Sequence, residues 1–118
     1  MSYDLAVWEG DRPASNEEAA ATFQALYEKY VEDEEDTHPS PRLTAYVEAL
    51  LARWPDITEE AGDESPWASG PLVEEIVGPF MYFPMGWSRS EEASAFAADV
   101  AHAHGLVCYD PQMERLRP

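Results

Sequence analysis

The chain has 118 residues, with 24 Asp plus Glu against 7 Lys plus Arg, and a formal net charge of −17 with its three histidines neutral. A surface that acidic repels phosphate backbones and anionic lipid headgroups, which disfavours nucleic acid and membranes as partners and favours a basic protein. A composition of 45% hydrophobic and 12% aromatic residues supplies one core at a common single-domain size, so global disorder is excluded and a single α+β domain over 1–118 is predicted.

Cys108 is the only cysteine, which excludes an intramolecular disulfide and any cysteine cluster for zinc or iron–sulfur. No apolar stretch approaches the roughly 18 residues needed to span a bilayer, and Met1 to Gly10 lacks a basic segment followed by an apolar one. A reducing, cytoplasmic location is the expectation.

Tyr3, Leu5 and Val7 alternate with Asp4, Ala6 and Trp8 before Gly10 and Pro13 break the pattern, which predicts a first strand. Ser15 stands three residues before Glu18, a capping-box spacing, and Phe23, Leu26, Tyr27, Tyr30 and Val31 then form one apolar helical stripe. The acidic run Glu32 to Asp36 leads into Thr37-His38-Pro39-Ser40-Pro41, where the prolines forbid helix. A second helix capped by Ser40, with Pro41 in its first turn, carries Leu43, Val47, Leu50, Leu51 and Trp54 until Pro55. Asp56 to Pro66 is polar and aperiodic, an acidic loop.

Leu72 to Val77 reads as a strand with imperfect alternation. Phe80 to Phe83, bracketed by Pro79 and Pro84, reads as a short aromatic strand, leaving Met85, Gly86 and Trp87 outside it. Ser88 with Glu91 offers another capping box for a third helix with the small-residue stripe Ala93, Phe96, Ala97, Val100 and Ala101, closed by Gly105. Leu106 to Tyr109 is the last predicted strand, stopped by Asp110-Pro111.

Strand, two helices, two strands, helix, strand is the order of a ferredoxin-like β-α-β-β-α-β sandwich with an extra helix in the first crossover. Such a sheet leaves one face open. Here Trp8, Phe83 and Tyr109 give the strands apolar residues on both sides, so the second face is expected to be covered by the extra helix, by a partner, or by a homodimer through the open sheet face.

His102, His104, Cys108 and Asp110 are of types that bind transition metals, yet residues two apart on a helix point about 200° from each other, so the two histidines do not share a metal. Polar side chains in a last helical turn also have the simpler role of meeting free carbonyls. Cys108 lies in an apolar strand with no adjacent base to activate it. The pairs Glu17-Glu18 and Glu91-Glu92 fall in first helical turns, where the dipole favours them; Glu74-Glu75 is a third such pair. A calcium loop over Asp56 to Trp67 fails because its sixth position is Ala61 and its twelfth is Trp67. Phosphate-loop, nucleophile-elbow and zincin patterns do not occur. No catalytic residue, metal site or cofactor is therefore assigned.

Two groups remain as candidate sites. The run Glu32, Asp33, Glu34, Glu35 and Asp36 follows a helix C-terminus, where negative charge opposes the dipole, so helix stability does not explain it. With Asp56, Glu59 and Glu60 it forms a candidate acidic docking patch; residues 1–64 carry a net of −13 against −4 for 65–118. The second group is a candidate aromatic pocket between helices and sheet, with Trp67, Met85, Trp87, His104 and Tyr109 as lining.

Tyr3-Asp4-Leu5-Ala6-Val7-Trp8-Glu9, Ser65-Pro66-Trp67 and Gly105-Leu106-Val107-Cys108-Tyr109-Asp110-Pro111-Gln112 resemble a family of small bacterial proteins with no assigned activity. The resemblance touches both ends and the centre, and implies a bacterial cytoplasmic protein. Together these readings predict a non-catalytic, immunity- or inhibitor-like protein-binding module for a basic partner, ahead of a small-molecule binder or minor enzyme, or a structural homodimer.

Overall fold

The computed structural model describes residues 2–32, 38–54, 66–68 and 70–117. The first strand, β1, runs from Ser2 to Trp8, and Ser15 caps the helix α1, Asn16–Tyr27, by accepting the Glu18 N–H at 3.1 Å. The Glu18 carboxylate reaches back to the Ala14 N–H at 2.9 Å, so the reciprocal pattern forms one residue earlier than the standard box. A π-helical turn, Glu28–Glu32, extends α1 and buries Tyr30. The helix α2, Pro41–Arg53, starts on Ser40, whose hydroxyl accepts the Leu43 N–H, and Pro41 occupies its first turn.

A short strand and a long one follow the crossover. Leu72–Glu75 is a 3-10 turn, closed by the Glu74 N–H on the Pro71 carbonyl, and only Ile76–Val77 pairs as strand β2. The expected strand over Leu72 to Val77 is thus mostly turn, because Pro71 and the exposed Glu74 three residues on suit a turn better than a ladder. The strand β3 runs Phe80–Gly86, through Pro84 rather than ending before it. Opposite Pro84, the Asp4 N–H and carbonyl face away toward Gln112, and the Pro84 carbonyl accepts the Ala68 N–H on its other side. Pro84 therefore lies where its missing N–H interrupts no β1–β3 bond.

The helix α3, Ser90–Ala103, begins one residue later than a Ser88 cap would start it. Trp87–Arg89 is itself a 3-10 turn, so Ser88 sits inside helical backbone and the Ser88–Glu91 box does not form; Arg89 is the cap and contributes no side-chain capping bond. Gly105, at φ +69°, closes the helix as expected. The strand β4 is Val107–Asp110, and a hairpin brings back a strand the sequence did not reveal, β5, Arg115–Leu116.

These strands make one five-stranded antiparallel sheet in the order β2-β3-β1-β4-β5, with β1 at its centre. Strand alternation sends Leu5, Val7, Met81, Phe83, Met85 and Cys108 to one face, packed under α2 and α3. Ala93, Ala97 and Ala101 let α3 approach the sheet closely, and the Tyr46 hydroxyl of α2 donates to the Ala97 carbonyl at 2.9 Å. Ala6, Trp8, Phe80, Val107 and Tyr109 face the other way, against α1. Phe23 of α1 lies 5.4–6.3 Å from the rings of Tyr27, Phe80, Tyr82 and Tyr109. Each such aromatic pair adds about 0.5–1.5 kcal/mol beyond area burial. The helix from the first crossover thus covers the second face, and the open face expected to support a homodimer is filled by α1.

Candidate functional site

β1, β3 and β4 bring together, at one end of the sheet, the residues that close it. Tyr3, opposite Met85 on β3, points to the α3 side, and its hydroxyl donates to Asp110. Asp110 is fully buried at the end of β4. Its second oxygen accepts the N–H groups of Gln112 and Met113, each at 3.1 Å, and the Gln112 amide at 2.8 Å, the bonding of an Asp that folds the turn after it. Arg117 completes the set at 3.4 Å, with side-chain exposures of 14% and 0% for Arg117 and Asp110. Asp110 is therefore an anchored carboxylate whose partners shape the β4–β5 hairpin.

Above this anchor stands an exposed apolar pair. The 3-10 turn after Gly86 throws Trp87 out of the sheet, 53% exposed, with its ring 5.7 Å from that of Tyr3. Met113, at the hairpin tip, is 58% exposed. A cleft of about 420 Å³ runs between α3 and the hairpin, with Tyr3 and Met113 in its lining. Ser90, Glu91, Ser94 and Ala95 form its helical wall and Arg115 and Arg117 its hairpin wall, since alternation along β5 turns both arginines to the α3 face and Leu116 to the α1 face. The Ser90 and Ser94 hydroxyls donate to the carbonyls of Trp87 and Glu91. On the far side of Glu91 lies a second hollow of about 350 Å³, lined also by Ser88, Arg89 and Glu92.

The five residues expected to line an aromatic pocket do not share one. Trp67 is buried in the α2/α3 core, its indole N–H on the Trp54 carbonyl at 3.2 Å and its backbone bridged to Met85, which is buried with it. Tyr109 is buried on the opposite sheet face. His104 is partly buried at the end of α3, with Nδ1 3.0 Å from the Val100 carbonyl and its ring edge-on to Tyr46. Only Trp87 reaches the surface, because β3 runs on through Pro84 and carries Met85 into the core. Of the acidic patch, Glu32 is exposed at the end of the π-helical turn, whereas Asp33, Glu34, Glu35, Asp36, Asp56, Glu59 and Glu60 lie outside the described residues.

The titratable side chains at this end are poorly suited to nucleophilic work. Burial, then the bond to Asp110, pushes Tyr3 up to about 12, and burial pushes the Cys108 thiol up to about 12, so both keep their protons at neutral pH. His102 is exposed and away from Cys108, which lies under α3, and among the described residues no three His, Cys, Asp or Glu side chains group as metal ligands. Of the residues that organise the surface, Gln112, Arg115 and Arg117 carry no role in the sequence pattern, and Asp110 stands there only as a turn signal and a metal-binding type; the anchoring role comes from the structure. No protein-family profile, curated protein or solved structure matches the chain.

Proposed function

We propose that this chain is a non-catalytic protein-binding module for a basic partner, and that Trp87 is the centre of its contact surface. The observation that carries this is the exposure of Trp87, whose ring stands against that of Tyr3, and of Met113, which shares a cleft with Tyr3 and Arg115. Trp, Tyr, Met and Arg are enriched at protein contacts, and Trp, Tyr and Arg are prominent among the few residues that carry most of a contact's binding energy. The net charge of −17 supplies long-range attraction for a basic protein, with Glu17, Glu18, Glu28, Glu48 and Asp99 exposed on the helices. No described helix is long and apolar enough to cross a membrane.

The architecture proposed with this reading is ferredoxin-like. It is supported by the order β2-β3-β1-β4 and by α2 and α3 packing on one face, with α1 as the extra helix of the first crossover and β5 as an added edge strand.

The test is affinity capture from the native host at low and high salt, with the wild type beside Trp87→Ala. A stoichiometric basic protein is expected at low salt, reduced at high salt by screening and lost with Trp87→Ala, whose circular dichroism stays that of the wild type. Absence of any stoichiometric protein at either salt, or capture indifferent to Trp87→Ala, overturns the proposal.

A further inference from the structure

Two opposite charges face the cleft beside α3 without meeting any partner. Arg117 is engaged by Asp110 and Arg89 by Glu92, yet among the described residues the side chains of Arg115 and Glu91 form no ion pair or hydrogen bond, with each other or with anything else. Each lies on a different wall, Glu91 on the first turn of α3 and Arg115 on β5, so the space of about 420 Å³ between them is bounded by one free carboxylate and one free guanidinium. That volume is at the lower end of the range, about 300–1,000 Å³, in which proteins hold small ligands.

A simple anion in this space meets Glu91 and a chain of net charge −17, and a simple cation meets Arg115 and Arg117. A ligand carrying both charges satisfies both walls and, being neutral overall, is not repelled at long range. The ring of Tyr3 and the thioether of Met113 give the same cleft an apolar side.

We infer that the cleft binds a small zwitterion, a free α-amino acid or dipeptide with an apolar side chain, its carboxylate on Arg115 and its ammonium on Glu91. The cleft shares Tyr3, Met113 and Arg115 with the surface proposed around Trp87 but does not rest on that reading, because its ligand is a small molecule bound with no partner protein present.

Titration of the full chain with L-phenylalanine and with glycyl-L-phenylalanine, followed by amide proton–nitrogen correlation spectra, tests it. Saturable shifts are expected around Glu91, Arg115 and Tyr3 in the millimolar range. N-acetyl-L-phenylalanine, which lacks the ammonium, and L-phenylalanine amide, which lacks the carboxylate, are each expected to bind about tenfold more weakly. Arg115→Gln and Glu91→Gln are each expected to lose about tenfold, about 1.4 kcal/mol, at unchanged melting temperature. The inference is overturned if neither zwitterion gives saturable shifts, if either one-charged analogue binds as well as L-phenylalanine, or if both variants bind like the wild type.

Discussion

Gln112 holds Asp4 as a neighbouring strand residue would: its carboxamide donates to the Asp4 carbonyl at 2.7 Å and accepts the Asp4 N–H at 2.5 Å. The β1–β4 ladder reaches Ala6↔Tyr109, and the chain turns away at Pro111, so a side chain carries the pairing further. Gln112→Ala removes these bonds and the one to Asp110, and is expected to cost about 1–2 kcal/mol. Gln112→Glu keeps the acceptor, loses the donors and sets a carboxylate against Asp110, so it is expected to cost at least as much. Urea midpoints at unchanged slope measure both.

Asp110→Ala is expected to be among the most destabilising single changes at this end of the sheet, by about 3–5 kcal/mol, since it strands the largely buried Arg117 and removes the acceptor for two turn N–H groups. Tyr3→Phe removes one hydroxyl and is expected to cost about 1 kcal/mol. In the double variant Asp110→Ala/Tyr3→Phe the losses are expected to be less than additive, because both remove the same hydrogen bond. Additive losses in a double-mutant cycle would refute that coupling.

Stability is expected to fall in alkali, as buried groups that the fold keeps protonated begin to ionise in the unfolded chain. Cys108 moves from 9.0 to about 12 and Tyr3 from 10.0 to about 12, and burial is the first cause of both; burial also raises Tyr46 and Tyr109. Because the folded chain holds these protons more tightly, the unfolded chain releases them first. The stability they contribute is intact below about pH 9 and is lost as pH rises toward about 12. Urea midpoints across that window are expected to decline, and Cys108→Ala is expected to flatten the decline at its lower end. A midpoint independent of pH between these limits would count against the burial of both groups.

Ser15→Ala and Ser40→Ala each remove a formed helix cap and are expected to cost about 1 kcal/mol. Ser88→Ala, at a position with the same Ser-to-Glu spacing, is expected to change stability by less than about 0.5 kcal/mol, because that hydroxyl caps nothing. Thermal melts of the three variants separate the pattern from the structure.

That contrast shows how far the sequence could be read. Ser15, Ser40-Pro41 and Gly105 mark helix ends through local chemistry, and each does so here. The apolar character of both Trp8 and Leu5 announced that both sheet faces would be covered, because alternation assigns neighbours to opposite sides. Which element covers the second face depends on packing between distant segments, and α1 was one of several candidates. Pro84 was misread as a strand end because a proline's tolerance depends on which neighbour its missing N–H would have faced. Trp67 and Met85 were misread as pocket residues because their burial follows from a bridge between segments far apart in sequence. Arg115–Leu116 is too short for any periodic signal, so the cleft wall it builds could not be anticipated.

The outer strands of this sheet, β2 and β5, are two residues each, and the rim of β3 beyond β2 is occupied by Trp67 and Ala68. On the β5 side the Leu116 N–H is taken by Asn16 and the Arg117 carbonyl by Arg12. Among the described residues an incoming chain therefore finds no long row of free amides on which to extend the sheet, so these edges resist polymerisation by strand addition.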